Sequence, residues 1–345
     1  MRGERAVSNR MRPSPISATV DFDAQGVQHG FLKLPISTDD SAWGAVMIPI
    51  TVISNGEGPT ALLTGGNHGD EYEGIIGLLK LANSLRAEEV TGRVIIVPMM
   101  NTPAAMVGKR TSPMDGGNLN RSFPGDPDGT VTEKIADYFT RVMVPMSDVV
   151  LDLHSGGRTL DILPFGASHA LDDAQQHHRA LEGAKAFGAP YAMMMYELDA
   201  ATLFDTAVES QGKIFVATEL GGGGSTDPAR LAIAERGIRN FLIHYGLVGG
   251  EVEMPAEPQV YLDMPDASCY LQSEHTGLLE LELVLGDRVE KGQVIARIYD
   301  MTRSGAEPVE YRAARDGMLV AKRFPSLVNM GDTIAVVAEI VDSLG

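Results

Sequence analysis

The sequence predicts an α/β catalytic unit, a mixed but mostly parallel sheet flanked by helices, followed by a smaller all-β C-terminal domain. Three observations predict it. Between Thr60 and Tyr245, short apolar runs such as Val94-Ile95-Ile96-Val97 alternate with helical patterns, and continuously apolar strands suit a parallel sheet covered on both faces. Past Gly249 the texture shifts to β-prone runs separated by Gly-Asp turns, with no convincing helix, as in a small all-β domain. Polar residues of one chemical kind, His68, Glu71, His154 and Glu219, stand where apolar runs give out. Strand ends of α/β sheets are where ligands bind.

Taken in order, residues 1–12 read as a loose arm. Residues 18–55 read as strands that end at the turn Asn55-Gly56. A strand over 60–63 leads to His68, and Ile75, Ile76, Leu79 and Leu85 fall at helical spacing over 72–86. The strand over 93–99 precedes a long Gly/Pro/Asn-rich loop over 101–127, and an insert of that length in a compact domain is usually functional. A helix over 131–143 and a strand over 148–153 bring the chain to His154. Strands are expected at 161–165, 191–196 and 214–217, and helices at 172–187, 201–210 and 228–245. The boundary falls in the Pro/Glu-rich stretch after Gly249, giving a catalytic domain over 1–250 and a barrel-like β domain over 251–345. In the latter, Gly286-Asp287-Arg288-Val289-Glu290-Lys291-Gly292 resembles biotinyl/lipoyl-type barrels. Lys291 lies in the turn phrase and Lys322 in a strand, so a packing or interface module is expected and not a carrier.

Composition narrows the partners. With 46 acidic against 28 basic residues and a formal charge of −18, neither nucleic acid nor an anionic membrane surface is an expected partner. No segment reaches the roughly 18 apolar residues of a membrane helix, and no apolar stretch follows the basic N-terminus to make a secretory signal. Cys269 is the only cysteine, which excludes an intrachain disulfide and favours a reducing compartment. A cytoplasmic protein acting on a small solute is expected, with a homo-oligomer such as a dimer left open.

His68 and Glu71, three residues apart in a glycine-rich strand-end loop, read as two metal ligands, and His154 at a second strand end reads as the third. Two histidines and a glutamate with one open position form a catalytic zinc set, though cobalt or manganese would also accept it. Glu219, where the run Ile214-Phe215-Val216-Ala217 stops, is placed to move a proton; a surface or capping carboxylate is the plainer reading. Arg110 and Arg121 flank the Gly-rich turn of the long loop and are candidates to bind a carboxylate in a bidentate manner.

His68-Gly69-Asp70-Glu71, Asn118-Leu119-Asn120-Arg121, Asp152-Leu153-His154 and Thr218-Glu219-Leu220-Gly221, in this order, resemble the succinylglutamate desuccinylase/aspartoacylase family, a branch of the zinc-carboxypeptidase fold. The motifs span about residues 45–250, and the β-rich tail is similar to that family's C-terminal domain. The resemblance implies one zinc on His68, Glu71 and His154, with Glu219 as general base and then acid. It also implies substrate contacts from Asn118, Asn120 and Arg121, and Arg110 polarising the scissile carbonyl. Asp152 would orient the site. The implied reaction is hydrolysis of the amide bond of an N-acyl amino acid. The first candidate substrate is N-α-acetyl-L-2,4-diaminobutyrate of ectoine breakdown, with succinylglutamate or acetylaspartate as alternatives. For the first, an acidic side chain such as Asp115, Glu197 or Asp199 is expected to face the ammonium. A non-catalytic metal-binding interaction protein is the remaining alternative, against which the presence of Glu219 counts.

Overall fold

A computed structural model describes residues 12–196 and 200–344; the arm expected at the N-terminus lies almost wholly outside them. The chain opens with β1 (Ser17–Ala18) and the long hairpin β2 (Gly26–Thr38) and β3 (Ser41–Asn55). The alternating unit follows as β4 (Thr60–Gly65), α1 (Tyr72–Ser84), β5 (Gly92–Val97), α2 (Thr102–Ala105), α3 (Val131–Tyr138), α4 (Val144–Met146) and β6 (Val149–His154). It continues through β7 (Leu160–Ile162), β8 (Phe165–Ser168), α5 (Ala174–Ala186), β9 (Tyr191–Met194), α6 (Phe204–Glu209), β10 (Ile214–Glu219) and α7 (Pro228–His244). The C-terminal strands are β11 (Val260–Asp263), β12 (Tyr270–Gln272), β13 (Gly277–Leu281), β14 (Arg288–Val289) and β15 (Val294–Tyr299), then β16 (Val309–Arg312), β17 (Gly317–Arg323), β18 (Leu327–Val328) and β19 (Thr333–Val341).

Strands β5, β4, β6 and β10 lie side by side and parallel. Along each, alternate residues enter opposite cores, as the twofold strand period requires. Leu62, Ile95, Val150 and Phe215 pack in one core beneath α3 and α6. Ala61, Leu63, Ile96, Leu151 and Val216 pack in the other with residues of α1, α5 and α7. Local signals set the helix starts. Thr130 and Glu133 form a reciprocal capping box on α3, and Asp227 accepts from the Ala229 and Arg230 amides with Pro228 at the first helical position of α7.

The expected strand over 161–165 resolves into two. Pro164 has no N–H to give a ladder, and the two pieces part company: β8 pairs antiparallel with β10, while β7 pairs with β17 of the C-terminal region. The long loop is partly structured, carrying α2 and a 3₁₀ turn over Leu119–Arg121. Across residue 250 the sheet continues, since β11 pairs parallel with β9 and antiparallel with β19. A separate antiparallel sheet, β16-β15-β13-β18, completes the C-terminal region. Among the described residues, no helix is long and apolar enough to cross a membrane.

Candidate metal centre and substrate cavity

Register explains why distant residues meet. Glu219 is the direct partner of His154 on the parallel strands β10 and β6, and Ala217 that of Asp152. Thr64 pairs with Asp152 on the other side. All five have the parity that faces the core holding Phe215, so their side chains converge on one side of the sheet. Glu71 arrives differently, as the N-cap residue of α1, where the partial positive charge of the helix start favours a carboxylate.

Glu71 sits between the two imidazoles. Its Oε1 is 2.8 Å from His68 Nδ1 and its Oε2 is 2.9 Å from His154 Nδ1, with the Ser155 amide donating to Oε2 at 3.1 Å. The outer ring nitrogens are taken as well. His154 Nε2 lies 2.8 Å from Asp152 Oδ2, and His68 Nε2 lies 3.2 Å from Asn118 Oδ1. Acceptor oxygens thus stand at both nitrogens of each ring; with the hydrogen of a neutral imidazole on Nε2, each Nδ1 would present its lone pair toward Glu71. In that tautomer three electron-pair donors converge, and a cation would satisfy all of them. Each histidine with an outer oxygen partner is the arrangement expected of metal-ligating imidazoles. The three ligand atoms lie within 4.8 Å of one another, within reach of a single ion.

The three groups are electrostatically coupled. Burial alone would raise Glu71, but His68 and His154 outweigh it and hold the carboxyl well below its usual range. Burial holds His68 below the ordinary imidazole value against the pull of Glu71. Burial acts the same way on His154, yet Asp152 and Glu71 together hold it well above that value. Asp152 is itself fully buried and saturated, accepting from Thr64 Oγ1 at 2.7 Å and Asn67 Nδ2 at 3.0 Å besides the imidazole. Two glycines let the ligand loops close: a Cβ on Gly69 would stand 2.1 Å from the Ala104 carbonyl carbon. At Gly157, φ is +55° and a Cβ would meet the Asp70 carboxylate at 2.7 Å, so Asp70 is free to accept from the Arg158 amide and tie the His154 loop to the His68 loop.

The cavity beside the trio is lined by Arg110, Asn120, Arg121 and Glu219 together with the ligands. It holds about 240 Å³, below the roughly 300–1,000 Å³ of most ligand pockets, which suits one small solute. Arg110 is half exposed and reaches Glu71 Oε1 at 3.3 Å. Asn118 is absent from the lining, because its amide oxygen is turned to His68. Asn120 Oδ1 accepts from the Phe204 amide at 3.0 Å, so the residue before Arg121 also fastens the start of α6.

A family model described as the succinylglutamate desuccinylase/aspartoacylase catalytic domain matches residues 57–245, more than half of the chain. The chain belongs to this family. It is 80% identical over 336 residues to the N-alpha-acetyl-L-2,4-diaminobutyric acid deacetylase of Halomonas elongata, covering 97% of this chain and 98% of that protein. A product-bound structure of the ectoine utilization protein EutE (DoeB) from Ruegeria pomeroyi superposes with a TM-score of 0.92 at 55% identity, over 95% of this chain and 99% of that one. A succinylglutamate desuccinylase structure from Silicibacter sp. TM1040 gives the same TM-score and identity, over 96% and 100%.

The residues that family motifs do not mark are the ones sequence reasoning missed. Tyr270 of β12 reaches the cavity from beyond the matched segment, its hydroxyl donating to the Tyr196 carbonyl at 2.9 Å. Asp205 of α6 lines the cavity too. Of the acidic residues expected near an ammonium, Asp115 is occupied within its own loop, accepting from the Thr132 amide and hydroxyl and the Gly117 amide. Glu197 and Asp199 lie outside the described residues.

Proposed function

We propose that this protein hydrolyses N-α-acetyl-L-2,4-diaminobutyrate to 2,4-diaminobutyrate and acetate, a step of ectoine breakdown, in the cytoplasm. The observation that carries the reading is the pairing of Glu219 with His154 at adjacent strand ends, beside a buried His-Glu-His set, in a chain 80% identical to a deacetylase of that name. Zinc held by His68, Glu71 and His154 would supply Lewis acidity, polarising the acyl carbonyl and lowering the pKa of water toward neutrality.

The chain's own groups do the rest. Arg121, steadied by Asn120, binds the substrate's α-carboxylate. Arg110 turns its guanidinium toward the oxygen of the scissile amide, where negative charge develops. Glu219 takes a proton from the attacking water and delivers it to the departing α-nitrogen, so water's hydroxyl ends in acetate and its proton in the amine. Asn118 and Asp152 hold the two imidazoles in the tautomer that offers Nδ1 inward.

Release of the free amino acid by purified protein reconstituted with zinc tests the reading, using acetyl-diaminobutyrate, acetylaspartate and succinylglutamate side by side. The expected result is a kcat/KM highest for acetyl-diaminobutyrate and abolished by chelation. A preference for either acidic substrate, or turnover indifferent to chelation, removes it.

A further inference from the structure

We infer that Asp205 is the residue that selects the substrate's side-chain ammonium. The inference rests on the proposed deacetylation. Acetylation leaves that substrate with two charges, an α-carboxylate and a free ammonium, so the cavity needs an anion as well as its guanidiniums. Four carboxylates among the described residues line it: Glu71, Asp152, Glu219 and Asp205. Glu71 belongs to the metal set, Asp152 is saturated by His154, Thr64 and Asn67, and Glu219 is the proton carrier. Asp205 has no part in the chemistry.

Its setting is built for a fixed charge. The side chain is buried, and Oδ1 is aimed by the Thr206 amide and by the Thr206 hydroxyl at 3.0 Å. Behind it, His169 stands between two carboxylates, Nε2 at 3.8 Å from Asp205 Oδ2 and Nδ1 at 3.1 Å from Glu209 Oε1. Two carboxylates thus share one imidazole. Phe215 and Ala217 supply apolar wall for the methylenes.

The start of α6 also sets a length. Phe204, next to Asp205, donates its amide to Asn120, next to Arg121, and its ring packs on Phe215 at 5.9 Å. Carboxylate grip and ammonium acceptor are therefore one hydrogen bond apart in the fold and do not move independently. An acylated acidic amino acid would bring its side-chain carboxylate against Asp205, a repulsion that rejects it.

The test compares N-α-acetyl-diaminobutyrate with N-α-acetyl-norvaline, in which a methyl replaces the ammonium. Wild type should favour the former by about 10²- to 10³-fold in kcat/KM, the range for breaking one side of a buried charge pair. D205N keeps the Thr206 contacts, and in it that ratio should fall to about 5-fold or less, chiefly through KM. D205E keeps the charge but advances it by one methylene, so its preference should move about 10-fold toward N-α-acetyl-2,3-diaminopropionate. That second variant carries the test if D205N does not fold. A D205N that retains the ratio, or loses activity equally on both substrates, overturns the assignment, as does a D205E with unchanged length preference. A wild type with no preference for the ammonium substrate overturns the proposed function itself, and this inference with it.

Discussion

The two halves of the cavity are held in different ways. The half that would do the chemistry, His68, Glu71, His154, Asp152 and Glu219, sits at strand ends and a helix start whose relative positions follow from sheet register. The half that would recognise substrate, Arg110, Asn120, Arg121, Asp205 and Tyr270, comes from the long loop, a six-residue helix and the C-terminal region. Glu71 is 2% exposed and contacted on both oxygens, whereas the Arg110 side chain is 45% exposed. Reactivity is thus over-determined by the sheet while specificity hangs on a few bonds, so a family can change its substrate without touching its metal set.

If that division holds, the largest effect belongs to Glu219. Replacing it by Gln keeps size and leaves all three ligands in place, so metal content measured after dialysis should be unchanged while kcat falls about 10²- to 10⁴-fold, the usual contribution of a positioned acid/base. A variant that stayed fully active would take Glu219 out of the mechanism. One that lost its metal would show that the two strand ends act as a single unit.

The next effect lies within the strand-borne half. Asp152→Asn removes the charge behind His154, and an outer partner of this kind is worth about 10- to 100-fold in metal affinity. Asn118→Ala removes a neutral partner at 3.2 Å behind His68. Charge-assisted hydrogen bonds are roughly twice as strong as neutral ones, so this variant should lose less, about 10-fold or under. Competition against a chelator of known affinity measures both. An Asn118 variant weaker than the Asp152 variant would mean that the loop, and not the strand, sets the metal site.

How legible this was in the sequence follows the same line. A polar residue interrupting an apolar strand is conspicuous, as His154 and Glu219 are; the family motifs add their neighbours and the resemblance that the comparisons bear out. Asp205 gave no such signal, because a carboxylate in the first turn of a short helix reads as an ordinary response to the helix dipole. Asn118, expected to touch substrate, has its amide oxygen 3.2 Å from His68 Nε2, a contact that a motif does not report because it names residues without saying which way an amide turns. Tyr270 and the pairing of β7 with β17 depend on contacts far apart in the chain, which periodicity does not report. The single strand expected at 161–165 passes over Pro164, and where its two pieces pair depends on equally distant contacts.

The smallest effect tests the join between the halves. Asn120 faces both ways: its side-chain oxygen receives the Phe204 amide at 3.0 Å, and its own carbonyl receives Arg121 Nη1 at 2.8 Å. Asn120→Ala keeps the backbone carbonyl, and so the Arg121 contact, but leaves the first amide of α6 without that acceptor. Losing one neutral hydrogen bond costs about 0.5–1.5 kcal/mol. If that cost appears as misplacement of α6 in the bound complex, KM for acetyl-diaminobutyrate rises about 2- to 10-fold. Because no group in the strand-borne half moves, kcat should stay within about 2-fold of wild type. Steady-state kinetics separate the two constants. An equal loss in kcat would mean that α6 and the strand ends are coupled more tightly than their few bonds imply, and that recognition and reactivity in this cavity are not independently adjustable.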